Sequence, residues 1–377
     1  VSTLAPSDIR IPAHLLPVDG RFGSGPSKVG GRAIEALHRA GSDLLGTSHR
    51  QAPVRDLVAR IRGGLRTLFS LPDDHLVVLG NGGTTLFWDV ATLGLIDRRS
   101  QHLAFGEFSR RFAEIAGGAP HVAEAEVITA APGGRPQAVG RPGVDLYALT
   151  HNETSTGVVA DLSRPTGADP DALVAVDATS AAGAIPWDPA VVDAYYFAPQ
   201  KVFASDGGLW LAVLSPAAAE RVARLRAGDR WIPASLDLAV AMAQSALDQT
   251  LNTPSIATLV LMAEQLDWIL EGGGMAFAED RCGRSAAHLY GWAEARPWAR
   301  PFVYEVAARS PVVGTIDFDD AVPAATLAAV LRANGVVDTE PYRKLGRNQL
   351  RIGMFPAVDP GDVEALTACI DHIVGRL

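Results

Sequence analysis

The chain has 377 residues, 48% hydrophobic and 20% charged, an apolar share large enough to bury a core in each of two domains. Lys plus Arg number 33 against 42 Asp plus Glu, and the formal charge of -9 argues against a nucleic-acid backbone or an anionic membrane as the main partner. The only two cysteines, Cys282 and Cys369, stand far apart in no metal-like spacing, which speaks against a disulfide framework or a cysteine zinc site and points to a reducing cytoplasm.

Residues 1–16 carry Asp8, Arg10 and two prolines and form no continuous apolar stretch of the kind a secretory signal needs. Residues 1–20 are read as an N-terminal arm. Helical periodicity over 54–69 precedes a strand at 75–79, which runs into Gly80-Asn81-Gly82-Gly83-Thr84-Thr85 and a helix over 85–95. Further strands are expected at 145–149, 173–176, 194–197 and 209–213, with surface loops at 132–142 and 163–170. This alternation predicts an α/β fold with a parallel sheet and ligands at the carboxyl ends of its strands. Asn252-Thr253-Pro254 places an N-cap before a proline at a first helical position, so a helix is expected from there to about 269. It leads out of a large domain, 21–270. The Gly-rich break at 271–274 opens a smaller α+β unit, 271–377, with strands at 312–318 and 349–352 and helices at 324–333 and 361–374. Apolar runs everywhere fall short of the ~20 residues of a membrane span.

Chemistry collects where strands end. The glycine turn at 80–85 exposes backbone N–H groups and hydroxyls at a helix N-terminus, which suits an anion, although any strand-to-helix turn also favours glycine. Asp177 ends the strand at 173–176, where a carboxylate can equally cap a following helix. Lys201 follows the strand at 194–197, in Ala198-Pro199-Gln200-Lys201. A lysine there is either a solvated charge or the amine that condenses with a carbonyl. Taken together, an anion cradle, a carboxylate and a lysine on one sheet edge match what pyridoxal 5'-phosphate requires: a phosphate anchor, a partner for its pyridinium nitrogen and an amine for its aldehyde.

Seven blocks carry a resemblance over nearly the whole chain: RFGSGPSK (21–28), GTSHRQAP (46–53), LGNGGTTLFW (79–88), HNETSTG (151–157), YYFAPQKVFASDGGLW (195–210), LNTP (251–254) and DTEPYRKLGRNQLRIGMFP (338–356). In them the chain resembles the phosphoserine aminotransferases, in particular their actinobacterial branch, within the class V, fold-type I aminotransferases that use pyridoxal 5'-phosphate. The resemblance implies that Lys201 is the lysine that condenses with the cofactor, that Gln200 contacts its phosphate and that Asp177 pairs with its ring nitrogen. It implies that Gly83 and Thr84 form the phosphate turn, with Thr84 standing where many members carry arginine. Phe108 stands where the wider family stacks a tryptophan on the ring, and a smaller aromatic can still stack. Thr154 matches the threonine that bonds the phenolic oxygen. Asn152-Glu153-Thr154 also spells a glycosylation acceptor, without consequence in a protein that is not secreted.

For substrate, the resemblance implies Arg351 on the α-carboxylate, Ser24 as a contact, and His49 with Arg50 as positive charge for a second anion. Asn252 and Thr253 resemble the pair that reaches the neighbouring subunit's cofactor, which implies a homodimer with shared sites. Tyr342 and Arg343 fall where this chain is longer than distant relatives and receive no role. The implied reaction is transamination between L-glutamate and 3-phosphohydroxypyruvate, giving O-phospho-L-serine and 2-oxoglutarate in serine biosynthesis, with service in pyridoxine biosynthesis also open. Two other readings stay open: a serine- or alanine-glyoxylate class V enzyme, and a non-catalytic cofactor-binding regulator on the same fold. A cysteine desulfurase is disfavoured, because Cys369 sits on an apolar helix pattern and Cys282 lacks a mobile-loop context.

Overall fold

The computed structural model describes residues 9–377; residues 1–8 of the expected arm lie outside the described residues. In chain order the strands are β1 (Leu76–Asn81), β2 (Ser100–Ala104), β3 (Glu126–Thr129), β4 (Leu146–Thr150), β5 (Asn152–Glu153), β6 (Val158–Val159), β7 (Leu173–Asp177), β8 (Ala194–Phe197), β9 (Leu209–Leu214), β10 (Ala299–Pro301), β11 (Val313–Phe318) and β12 (Gln349–Gly353). The α-helices are α1 (Gly31–Gly41), α2 (Ala52–Leu68), α3 (Thr84–Gly94), α4 (Glu107–Gly117), α5 (Pro216–Arg226), α6 (Leu238–Ser245), α7 (Ile256–Gly272), α8 (Met275–Glu294), α9 (Ala324–Ala333) and α10 (Pro360–Val374).

A seven-stranded sheet runs in the order β1-β9-β8-β7-β4-β2-β3. Its strands are apolar on both faces, as a sheet covered by helices on each side requires. The period of two sorts them cleanly. Val174, Val176, Tyr195, Phe197, Leu209, Leu211 and Val213 meet α2 and α7 on one face, while Leu173, Ala175, Ala194, Tyr196, Trp210, Ala212 and Leu214 meet α3 and α5 on the other. The sheet is mostly parallel, with one strand running against the rest: β9 pairs antiparallel with both β1 and β8. Only eleven residues, 198–208, join β8 to β9, short of the dozen or more that a parallel crossover takes, so the strand reverses. β1, β8, β7 and β4 still end on the same edge.

Strands β2 and β3 were not expected from the sequence, because β2 reads Ser-Gln-His-Leu-Ala. Its polar side chains are buried: Ser100 and His102 Nε2 share a 2.9 Å hydrogen bond and Gln101 Nε2 donates to the Val139 carbonyl at 2.8 Å, while His102 Nδ1 has no partner among the described residues. The helix expected to begin at Pro254 begins instead at Ile256 behind Ser255. The Thr253 carbonyl accepts a 3.0 Å hydrogen bond from Asn81 Nδ2, which holds that segment out of the helix. Helix α7 also continues through Gly272, and the expected glycine break narrows to Gly273 and Gly274, both at positive φ.

Strands β10, β11 and β12 form an antiparallel sheet whose core includes Ile316, Leu350 and Ile352, packed with α9 and α10. Ile9, Ile11 and Phe22 join that same core, pinned by hydrogen bonds between Asn334 and the backbone of Ile9 and Ile11. Among the described residues no helix is long and apolar enough to cross a membrane.

At the amino end of the sheet, Asp145 accepts from the backbone N–H groups of Asp97, Arg98 and Arg99 at 2.7–2.9 Å and from Arg221 at 3.2 Å. Both charges are buried. Removing one partner of a buried ion pair leaves the other uncompensated, at a cost of about 3 kcal/mol. Asp145→Asn is expected to lose about that much in denaturant unfolding, while the site at the opposite edge keeps its ligand affinity.

Candidate active site

Three chain turns bring the expected groups to one edge. After β1, Gly82 takes φ 111° and Gly83 opens α3. Gly83 has no side chain to cap that helix, whose first residues Thr84 and Thr85 line a cavity of about 310 Å³. After β7, Asp177 is 5% exposed and lines the same cavity. After β8, so do Gln200 and Lys201. Phe108, at the start of α4, and Thr154, after β5, complete the expected set.

Both oxygens of Asp177 are held. Oδ1 accepts from the Thr179 hydroxyl at 2.6 Å and the Thr179 amide at 3.0 Å, and Oδ2 accepts from the Trp88 indole N–H at 3.1 Å. Because Thr179 directs its proton to Asp177, the 2.7 Å contact between Thr84 and Thr179 has Thr84 as donor. Helix α3 therefore presents Thr84 to the phosphate turn and Trp88, one turn later, to Asp177. Burial pushes the Asp177 carboxyl up to about 6, against the hydrogen bonds from Thr179 and Trp88.

Lys201 is 8% exposed and donates to the Ser24 carbonyl at 2.6 Å. Burial pulls its amine down to about 7, with Arg351 adding to the effect and Asp177 and Glu153 opposing it. The loop of residues 21–28 lies over the amine. A Cβ on Gly25, which sits at φ 143°, would fall 1.6 Å from Lys201 Nζ, so only glycine fits there. Ser24 reaches the site through its carbonyl, and its hydroxyl is buried without a partner.

Arg351 on β12 donates to the Thr154 carbonyl at 3.2 Å and lies 5.3 Å over the Tyr342 ring. Its Nε is buried without a partner, as are Gln200 Oε1 and Asn152 Oδ1. Such convergence of unsatisfied polar atoms on one place is the mark of a ligand site.

Six expected residues do not line this cavity: Ser24 and Arg351, each bonded to a residue that does, and a set of four, His49, Arg50, Asn252 and Thr253. Three of the four gather on their own patch, where Thr253 Oγ1 meets His49 Nδ1 at 3.2 Å and Arg50 donates to Gln249 at 2.9 Å. Burial and the neighbouring Arg50 hold the His49 imidazole below its ordinary value, so the positive charge expected of the pair rests on Arg50.

The residues fit pyridoxal 5'-phosphate: an amine about half uncharged at pH 7, a fixed carboxylate and a helix N-terminus with hydroxyls. With Thr84 in place of arginine, that N-terminus, its hydroxyls and Gln200 are what the cavity lining offers a phosphate. Trp88 and Thr179 escaped the sequence reading, although each had a signal. Trp88 stands four residues from Thr84 on a helix, and Thr179 stands two residues beyond an Asp, a turn spacing.

Cavity and sheet define a class V aminotransferase. The family described as Aminotransferase class-V matches residues 135–339, more than half of the chain. The phosphoserine aminotransferase of Nocardioides sp. is 61% identical over 370 residues, covering 98% of this chain and 99% of that one. The chain belongs to the phosphoserine aminotransferase family. Among solved structures, a phosphoserine aminotransferase from Cytophaga hutchinsonii superposes with a TM-score of 0.86 at 23% identity, covering 94% of this chain and 99% of that one. The PLP-bound phosphoserine aminotransferase of Trichomonas vaginalis gives 0.76 at 18% identity, covering 94% and 99%. At these identities the two structures attest the fold.

Trp88→Phe keeps an aromatic ring beside Phe112 but removes the donor to Asp177. It is expected to weaken pyridoxal 5'-phosphate binding about tenfold, the worth of one hydrogen bond to a charged group, in an absorbance titration of the cofactor-free protein. Unchanged affinity would show that Thr179 alone suffices to hold Asp177.

Proposed function

We propose that this enzyme transfers the amino group of L-glutamate to 3-phosphohydroxypyruvate, releasing 2-oxoglutarate and O-phospho-L-serine, as a step of serine biosynthesis. The observation that carries the reading is the burial of Lys201 and Asp177 in one cavity of a chain 61% identical to a phosphoserine aminotransferase. Bound there, pyridoxal 5'-phosphate would supply an aldehyde for the amino group and a ring that draws electrons from the substrate's α-carbon.

In this reading Lys201 Nζ, about half uncharged near pH 7, takes the α-proton as general base and returns it as general acid. Asp177 would hold negative charge against the ring nitrogen, Phe108 would stack on the ring, and Thr154, whose hydroxyl here donates to Ser180 at 2.8 Å, would turn to the phenolic oxygen. Gly83, Thr84 and Gln200 receive the phosphate. Arg351 grips the α-carboxylate with a planar fork, and Ser24 borders it. Asn252, Thr253, His49 and Arg50 serve the neighbouring subunit of a homodimer. Their absence from the walls of their own cavity supports that assignment, as does the unpartnered His49 Nε2. The proposal includes the division into an arm (1–20), a large domain (21–270) and a small domain (271–377), a cytoplasmic location, and service in pyridoxine biosynthesis on a related phosphorylated keto acid.

The acceptor carries two anions, and charge-assisted hydrogen bonds to each are worth about 1.5–3 kcal/mol. Loss of two such contacts with the phosphate is expected to lower kcat/KM by roughly a hundredfold or more. The test compares 3-phosphohydroxypyruvate with hydroxypyruvate and glyoxylate in the wild type and in Arg50→Ala, with Lys201→Ala as the inactive control. The wild type is expected to prefer the phosphorylated acceptor strongly, and Arg50→Ala to erode that preference while leaving cofactor affinity in place. Equal efficiency with glyoxylate in the wild type would instead indicate a glyoxylate-using class V enzyme.

A further inference from the structure

Glu153 is a carboxylate of 0% exposure that the reaction above does not use. Among the described residues no cation pairs with it; its oxygens accept only from N–H and O–H donors. Oε2 accepts from the Ser109 amide at 2.9 Å and the Ser109 hydroxyl at 2.8 Å. Oε1 accepts from the Ser155 hydroxyl at 2.7 Å, the Ser155 amide at 3.1 Å and, at the long limit of 3.5 Å, the Phe108 amide. The Ser155 hydroxyl in turn accepts from the Glu107 amide at 3.0 Å. The charge sits at the amino end of α4, where the helix dipole stabilises it. The packing is tight enough that a Cβ on Gly106 would fall 2.3 Å from Glu153 Cγ.

These bonds join two elements that are far apart in sequence. One is the start of α4, which carries Phe108. The other is the segment after β5, which carries Thr154, and through the Thr154 carbonyl it also meets Arg351. We infer that Glu153 is a positioning residue that fixes Phe108 and Thr154 relative to each other, so that the face and the phenolic edge of one bound ring are met together. This rests on reading the cavity as the pyridoxal 5'-phosphate site. Its negative charge also supports Lys201 and Arg351 in their protonated forms.

Glu153→Gln preserves shape and removes the charge. Whichever way the amide turns, its NH2 faces a backbone N–H, of Ser109 or of Ser155, that cannot become an acceptor. The folded variant, checked by thermal melting without cofactor, is expected to bind pyridoxal 5'-phosphate about tenfold more weakly. The visible circular dichroism of the bound cofactor should shrink, and kcat should fall more than KM for glutamate. A purely structural role predicts a lower melting temperature with cofactor affinity and dichroism of the folded protein unchanged, and that result overturns the inference. If Glu153→Gln does not fold, Ser109→Ala/Ser155→Ala removes both hydroxyl donors and is judged in the same way, with about threefold weakening expected and none overturning the inference. Failure of the wild type to bind pyridoxal 5'-phosphate would overturn the cavity reading itself, whereas a wild type and Glu153→Gln that bind equally overturn this inference alone.

Discussion

Putting a lysine amine and an aspartate carboxylate into one water-poor cavity sets the terms for the rest of this structure. Burial penalises the charged form of each, drawing Lys201 down to about 7 and Asp177 up to about 6. The lowered amine favours chemistry near neutral pH, and the raised carboxyl is still mostly ionised there. An amine that is about half uncharged can attack an aldehyde or take a proton, and a carboxylate can face a pyridinium. Neither group is left to chance: Thr179 and Trp88 hold Asp177, and the Ser24 carbonyl with Gly25 holds Lys201.

The fold delivers these groups because strands β1, β7 and β8 end on one edge and the chain turns sharply at each end. That much was legible in the sequence. Short continuous apolar runs marked β7, β8 and β9, glycines marked the turn after β1, and a polar residue placed at or just past a strand's end marked Asp177 and Lys201. What stayed hidden has physical reasons. Strand β2 buries Gln101 and His102, and Gln101 finds its partner, the Val139 carbonyl, elsewhere in the fold, so the strand's composition reads as loop. The Asn252-Thr253-Pro254 rule placed a helix start two residues early because a tertiary hydrogen bond from Asn81 outweighs the local preference. Glu153 read only as part of a surface glycosylation triplet, although its five donors lie in two segments more than forty residues apart.

Charge is apportioned in the same way. A net charge of -9 repels anions overall, yet the active-site edge combines Arg351, a helix N-terminus and backbone donors. Arg50 stands away from this cavity in its own protomer. A shared site would explain why a positive group that the cavity lacks is displayed on a separate patch beside Asn252 and Thr253. On that account the acceptor's two anions are read by two subunits, and substrate choice depends on assembly.

The central claim is that burial, and not an ion pair, sets the state of Lys201. It is tested most directly by titrating that amine in the cofactor-free protein, following its rate of arylation by trinitrobenzenesulfonate between pH 5 and 11 as the difference between wild type and Lys201→Ala. The account predicts a midpoint near 7, where burial outweighs the pull of Asp177 and Glu153. A midpoint at the ordinary lysine value of 10.5 would contradict it, because the amine would then be a solvated or ion-paired cation at neutral pH.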